Sequence, residues 1–136
     1  MIADYKAFLE ADATLAALLY AGSGNTKVFL PGQRTPDENS PWIDLSYSTD
    51  GTADDLLDEA ILAISIYHET YLGALAILNR ITLLSDVQDD AVVESSANRI
   101  FYTKKIAGGS DVVEPDTLLC HMARLLHVKY KRNTGG

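Results

Sequence analysis

A chain of 136 residues, 47% hydrophobic and 22% charged, is long enough for one domain with a real core and too apolar for a disordered segment. A net charge of −8 argues against a nucleic-acid reader, because phosphate contacts need clustered lysine and arginine. The apolar runs stop short of the ~20 residues that span a bilayer, no basic and apolar leader opens the chain, and Cys120 is the only cysteine, so no internal disulfide forms. The expectation is a soluble protein held in a reducing cytoplasm.

The opening stretch "IADYKAFLEADATLAALLYAG" places Ile2, Tyr5, Phe8 and Leu9, then Leu15, Leu18 and Leu19, at helical intervals. Asp12 is placed to cap the second helical segment, and "GSGN" to stop it. "KVFL" reads as a short strand ended by Pro31-Gly32, and "GQRTPDENSP" as a loop. "WIDLSYS" alternates, with Ile43, Leu45 and Tyr47 on one face and Asp44, Ser46 and Ser48 on the other, as a half-buried strand does.

"TDGTADDLLDE" then joins it, as a hairpin with an acidic tip, to "AILAISIYH", where Leu62, Ile64 and Ile66 share one face. After Thr70 the rhythm changes to Ala74, Ile77, Ile81 and Leu84, which predicts a helix from about Tyr71 to Ser85. A strand therefore runs into a helix with almost no loop. "DVQDDAVVESSAN" is a polar connection with a short extended piece at Val92-Val93, and "RIFYTKKIA" is another strand. "GGSDVVEPD" reads as a loop, "TLLCHMARLLHVKYKR" as a long final strand, and residues 132–136 as a frayed tail.

Helix, three strands, helix, two strands is an α+β order. The expected architecture is a single domain over residues 1–136, with a mostly antiparallel or mixed sheet of about four to five strands against two main helices. The strand ending at His68 reaches the next one through a helix, a crossover that is right-handed when the two strands are parallel in one sheet.

Candidate chemistry is thin. "GSGNTK", Gly22 to Lys27, resembles a phosphate loop, but such loops run strand, loop, helix, and here a helix precedes and a strand follows. His121 and His127 share a strand face but stand six residues apart, roughly 20 Å, too far for one metal. His68 is the one residue left to join either, and Cys120 points the other way. Asp54-Asp55 and Asp89-Asp90 are paired carboxylates in polar connections, where solvation rather than general acid chemistry is the rule. Cys120, inside "LLCHM", reads as a core filler. No catalytic, metal or cofactor site assembles from these parts, and the chain is expected not to be an enzyme.

Charge is unevenly spread. Residues 1–60 hold eleven acids against three bases and residues 61–98 five against one, whereas residues 99–136 hold seven bases against three acids. Acidic and basic faces that meet between neighbouring copies would use this split; two solvated faces are the plain alternative.

In its order of elements the chain resembles the small tail-terminator, or tail-completion, proteins of long-tailed phages and prophages. The likeness is carried by "FLEADATLAALL" leading into "KVFLPG", by "SPWIDLSYS", by "AILAISIYHETYLGALAILNRI" and by "ARLLHVKYKR", and spans residues 2–132. It implies a virion protein, present in the host cytoplasm before assembly, that caps the tail tube as a homohexameric ring and forms the tail side of the head-tail joint. The implied partners are further copies of the chain, the tail tube protein and a head-tail connector or stopper, with DNA only as cargo through the lumen and no membrane. The expected interface sets the basic residues Lys104, Lys105, Arg124, Lys129 and Lys131 against an acidic loop, Asp50, Asp54, Asp55 and Asp58, of the next copy. The alternatives are another neck component, a connector or stopper, and a small cytosolic ligand-binding or enzymatic α+β domain.

Overall fold

A computed structural model describes residues 2–20, 27–34, 38–49, 58–85, 93–94, 98–107 and 111–132, with the backbone alone described at 49, 58, 93–94, 98–107 and 131–132. The elements run α1 (Ile2–Glu10), α2 (Ala13–Leu18), β1 (Val28–Phe29), β2 (Trp42–Thr49), β3 (Asp58–His68), α3 (Tyr71–Ser85), β4 (Val93–Glu94), β5 (Asn98–Ala107), β6 (Asp111–Val113) and β7 (Cys120–Arg132). The expected α+β class is what forms. Four long strands, β2, β3, β7 and β5, make the sheet, and β1, β4 and β6 add two or three residues each at its margins.

The order across the sheet is β1-β2-β3-β7-β5-β4, with β6 alongside β7. β1 is parallel to β2; every other pair is antiparallel, so the sheet is mixed. The final strand lies in the middle. β3 and β5, joined through α3, therefore run parallel with β7 between them.

"GGSDVVEPD" is not wholly a loop. β5 ends opposite Leu125, and β6 takes up the same line along β7 from Met122 to Cys120. The β-branched Val112 and Val113 carry that line into a hairpin, closed by amides of Leu118 and Glu114 donating to the carbonyls of Glu114 and Leu119.

Alternation divides the sheet cleanly. Ile43 and Leu45 of β2, Ala60, Leu62, Ile64 and Ile66 of β3, and Met122, Val128 and Tyr130 of β7 are buried on one side. α1 brings Tyr5 and Leu9 to this core, α2 brings Leu15, and α3 brings Ala74, Ile77 and Ile81. Fully burying each leucine or isoleucine contributes ~1.5–3 kcal/mol, so this layer supplies most of the stability. Leu84, the fourth residue of the α3 stripe, is only half-buried. The inward place goes to Ser85, whose hydroxyl is 2.5 Å from the phenol oxygen of Tyr5. Burial pushes the Tyr5 phenol up to about 12 despite that bond.

Asp12 caps α2 as expected, accepting the Leu15 amide at 2.8 Å. Its carboxylate also takes two bonds from Arg80 of α3, at 2.9 and 2.7 Å, and these hold its pKa below the ordinary range. α2 is followed by left-handed Tyr20 (φ 55°), before any glycine. Arg132, the first residue of the expected tail at 132–136, still belongs to β7, and "GSGN" and residues 133–136 lie outside the described residues.

The strand-to-helix junction is built from four residues. Thr70 caps α3, its hydroxyl accepting the Gly73 amide at 3.1 Å and its carbonyl the Ala74 amide. His68, the last residue of β3, turns its ring back so that Nδ1 accepts the Thr70 amide at 3.0 Å. The ring then lies where a Cβ on residue 73 would sit, only 2.2 Å from His68 Cε1. Glycine at that position is what lets strand and helix meet so closely.

Candidate functional site

Of the expected interface residues, Arg124 and Lys129 have described side chains, and these lie on opposite sides of the sheet. Arg124 lies on the helix-covered side and pairs with Asp111 at 2.7 Å, inside the chain. Lys129 lies on the opposite side, 3.5 Å from Glu59, which also faces His127 at 3.6 Å. The physical reason is parity: positions 124 and 129 differ by an odd number on an unbroken strand. Lys104 and Lys105 take register positions opposite His127 and Leu126, and Lys131 one opposite Arg99. Asp58 opens β3 opposite Tyr130, next to the Glu59–Lys129 rung. Asp50, Asp54 and Asp55 lie outside the described residues, as does Asp89-Asp90.

The histidines separate as their parity requires. His121 and His127 share the face without helices, while His68 stands opposite Cys120 on the helix side. Among the described residues no three His, Cys, Asp or Glu side chains are grouped as metal ligands. Gly22 to Thr26 of "GSGNTK" are outside the described residues; Lys27 pairs with Glu38 and donates to the Asn39 carbonyl at 2.6 Å.

The helix-free face carries a ladder of rings that no motif announced. Trp42, Tyr67 and His121 come from β2, β3 and β7 on one row, with centroids 4.9 and 4.3 Å apart and near-parallel planes. The Arg34 guanidinium covers Trp42 at 4.5 Å and reaches Asp44, which also accepts from the indole nitrogen. His121 Nδ1 donates to Glu114 at 3.1 Å at the far end. Beyond this row the same face carries the small residues Ser46, Ala63, Ser65 and Ala123, and then Leu125, His127 and Lys129. Burial raises the Tyr67 phenol, with the nearby carboxylates of Asp44 and Glu114 adding to it.

Two sets of apolar side chains face outward. Leu72 (74% exposed) and Leu83 (69%) lie three turns apart on the outer side of α3, with Tyr71 half-exposed beside them. Val112, Val113 and Leu118 are exposed on the β6–β7 hairpin, and Leu125 is exposed further along β7, opposite Ala63 and Ala107. The helical stripe that predicts the core leaves out Leu72, Leu75, Leu78 and Leu83, of which Leu75 and Leu78 are half-buried and Leu72 and Leu83 exposed. An open groove of about 370 Å³ lies between the turn after β1 (Leu30, Pro31, Gly32, Arg34) and β2 (Asp44, Leu45, Ser46), reaching Ser65.

No helix among the described residues is long and apolar enough to cross a membrane. No protein-family model matches the chain, and no curated protein matches its sequence. Its fold is similar to that of a chain in a solved structure titled the virion of a native gene transfer agent (GTA) particle. The TM-score is 0.69, with 18% identity over 95% of this chain and 92% of that one. At that identity the two share a fold, from end to end.

Proposed function

We propose that the protein is a structural component of a phage-like virion that ends the tail tube as a ring and forms the tail side of the head-tail joint. The observation that carries this reading is the end-to-end fold likeness to a chain of a virion, at a TM-score of 0.69. Element order supports the finer assignment to a tail terminator, and six is the ring size that resemblance implies. The protein works by contact rather than catalysis.

A ring closes through heterologous interfaces, one patch against a different patch on the next copy. The outer side of α3, with Leu72 and Leu83, and the β6–β7 hairpin, with Val113 and Leu118, offer two such apolar patches. Exposed ion pairs contribute roughly 0–1 kcal/mol each, so apolar contact holds the ring while charge sets register and rate. Arg124 and Lys129 have carboxylate neighbours within the chain; Lys104, Lys105 and Lys131 are to be tested against the acids of residues 50–58.

Native mass measurement over a range of concentration, alone and with isolated tail tubes, tests the proposal. The expected result is a closed oligomer, of six copies, that binds tube ends. A protein that stays monomeric at high concentration and leaves tube ends bare would overturn it. Leu72→Asp combined with Leu83→Asp is expected to leave a folded monomer.

A further inference from the structure

The outer edge of β2 is open. β1 covers only Ile43 and Asp44, and among the described residues nothing pairs with that edge from Leu45 to Thr49. The Ile43 amide donates outward to the Lys27 carbonyl at 2.9 Å, and β2 keeps unbroken register with β3 over its eight residues. By alternation the amides and carbonyls of Leu45, Tyr47 and Thr49 therefore point outward as well, toward no strand. Native edges are usually blunted by lysine, proline or a bulge. This one carries Ser46, Tyr47 and Ser48, all exposed, and none of those devices.

The opposite margin of the sheet is built differently. Among the described residues, β4 covers β5 only at Arg99 and Ile100. From Tyr102 to Lys105 β5 keeps regular register with β7, between two irregularities, and its other edge has no strand partner among the described residues. Asn98–Ala107 holds three bases and no acid, whereas residues 50–59, which continue the chain from β2, hold five acids and no base. Oppositely charged sequences favour each other over like ones, so this charge split favours pairing of β2 with β5 over pairing of either with itself.

We infer that the β2 edge, Leu45 to Thr49, is a strand-docking site for β5 of a second copy, so that the sheet continues from one protomer into the next. The inference rests on the ring reading and gives it a backbone connection. The pairing is heterologous, as closure of a ring requires. The groove beside Leu45 and Ser46 leaves room for a side chain of the incoming strand.

The test is Tyr47→Pro. Proline is tolerated on an edge strand where the lost amide faces outward, so the ladder to β3 survives while the docking bond is lost and the ring methylene blocks approach. Native mass is expected to show wild type and Tyr47→Val as rings and Tyr47→Pro as a folded monomer, with at least a tenfold weaker association. A second measurement does not depend on how the proline variant folds. In a Cys120→Ser background, cysteines at 46, 47 or 48 are combined with one at 103 or 104, because facing strands bring Cα atoms within disulfide range. At least one double-cysteine variant is expected to give a ladder of covalent oligomers under oxidation that its single-cysteine parents do not. A ring that survives Tyr47→Pro, or that forms while no pair links, overturns the inference and leaves the ring reading standing. Dimers linked between single cysteines at 46, 47 or 48 mean that two β2 edges pair symmetrically, which also overturns it. Wild-type protein that never associates removes both.

Discussion

Gly73→Ala puts the strand-to-helix junction to a quantitative test. In an ordinary helix this change stabilises by ~0.8–1.0 kcal/mol, since alanine has the better propensity. Here the added Cβ would stand 2.2 Å from His68 Cε1 and 2.3 Å from Nε2, against ~3.5–4.0 Å for a good carbon contact. The ring has to leave its site. Overpacking of this kind costs ~1–3 kcal/mol, and losing the Thr70 amide bond adds ~0.5–1.5 kcal/mol. Set against the propensity gain, the net loss is ~1–3 kcal/mol. In a His68→Ala background the obstacle is absent, and the same Gly73→Ala change should stabilise by close to its propensity value. The coupling energy between positions 68 and 73 is therefore ~2–4 kcal/mol, read from urea midpoints of the four proteins in a double-mutant cycle. Additive effects, with Gly73→Ala stabilising in both backgrounds, would refute the placement of the ring.

Burial lowers the His68 pKa below its ordinary value near 6.5, against a smaller upward pull from Glu69. The unfolded chain then takes up a proton before the folded one, so this contribution is complete above pH ~6.5 and is lost as pH falls toward the folded pKa. The wild-type urea midpoint should drop more between pH 7.5 and 5.5 than that of His68→Ala; equal drops would show that the imidazole does not titrate differently on folding. Asp12→Asn keeps an acceptor for the Leu15 amide and loses the charge facing Arg80, while Asp12→Ala loses both. Stability is expected to fall in the order Asp, Asn, Ala, with the last step ~1 kcal/mol for the cap, and an Asn variant no better than Ala would rule the cap out.

Local pattern made much of the fold legible. The switch from alternation to helical spacing at Thr70 located both β3 and α3, because each element buries a single face and the two periods differ. Burial of Leu62, Ile64, Ile66, Ile77 and Ile81 follows from the same spacing. Pairing between distant segments was not legible. That the last strand enters between β3 and β5 depends on contacts across the whole chain, and no periodicity records them. The ring ladder was hidden for that reason: Trp42, Tyr67 and His121 become neighbours only once two registers are fixed. β6 was missed because three residues are too few to display a period. Arg124 and Lys129, both proposed from composition, stand on two faces, since net charge along a sequence carries no parity.

The central strands meet over eleven consecutive rungs, from Asp58 opposite Tyr130 to His68 opposite Cys120, whereas β1 holds to β2 over two. Those lengths make the molecule mechanically uneven. Load applied along β3 and β7 shears all eleven rungs at once, and they resist together; β1 gives way after two. A protein strained in this way yields first at the margins of its sheet and last along its midline. Loss of β1 lengthens the bare edge of β2, so such strain enlarges the surface available for pairing before it threatens the core.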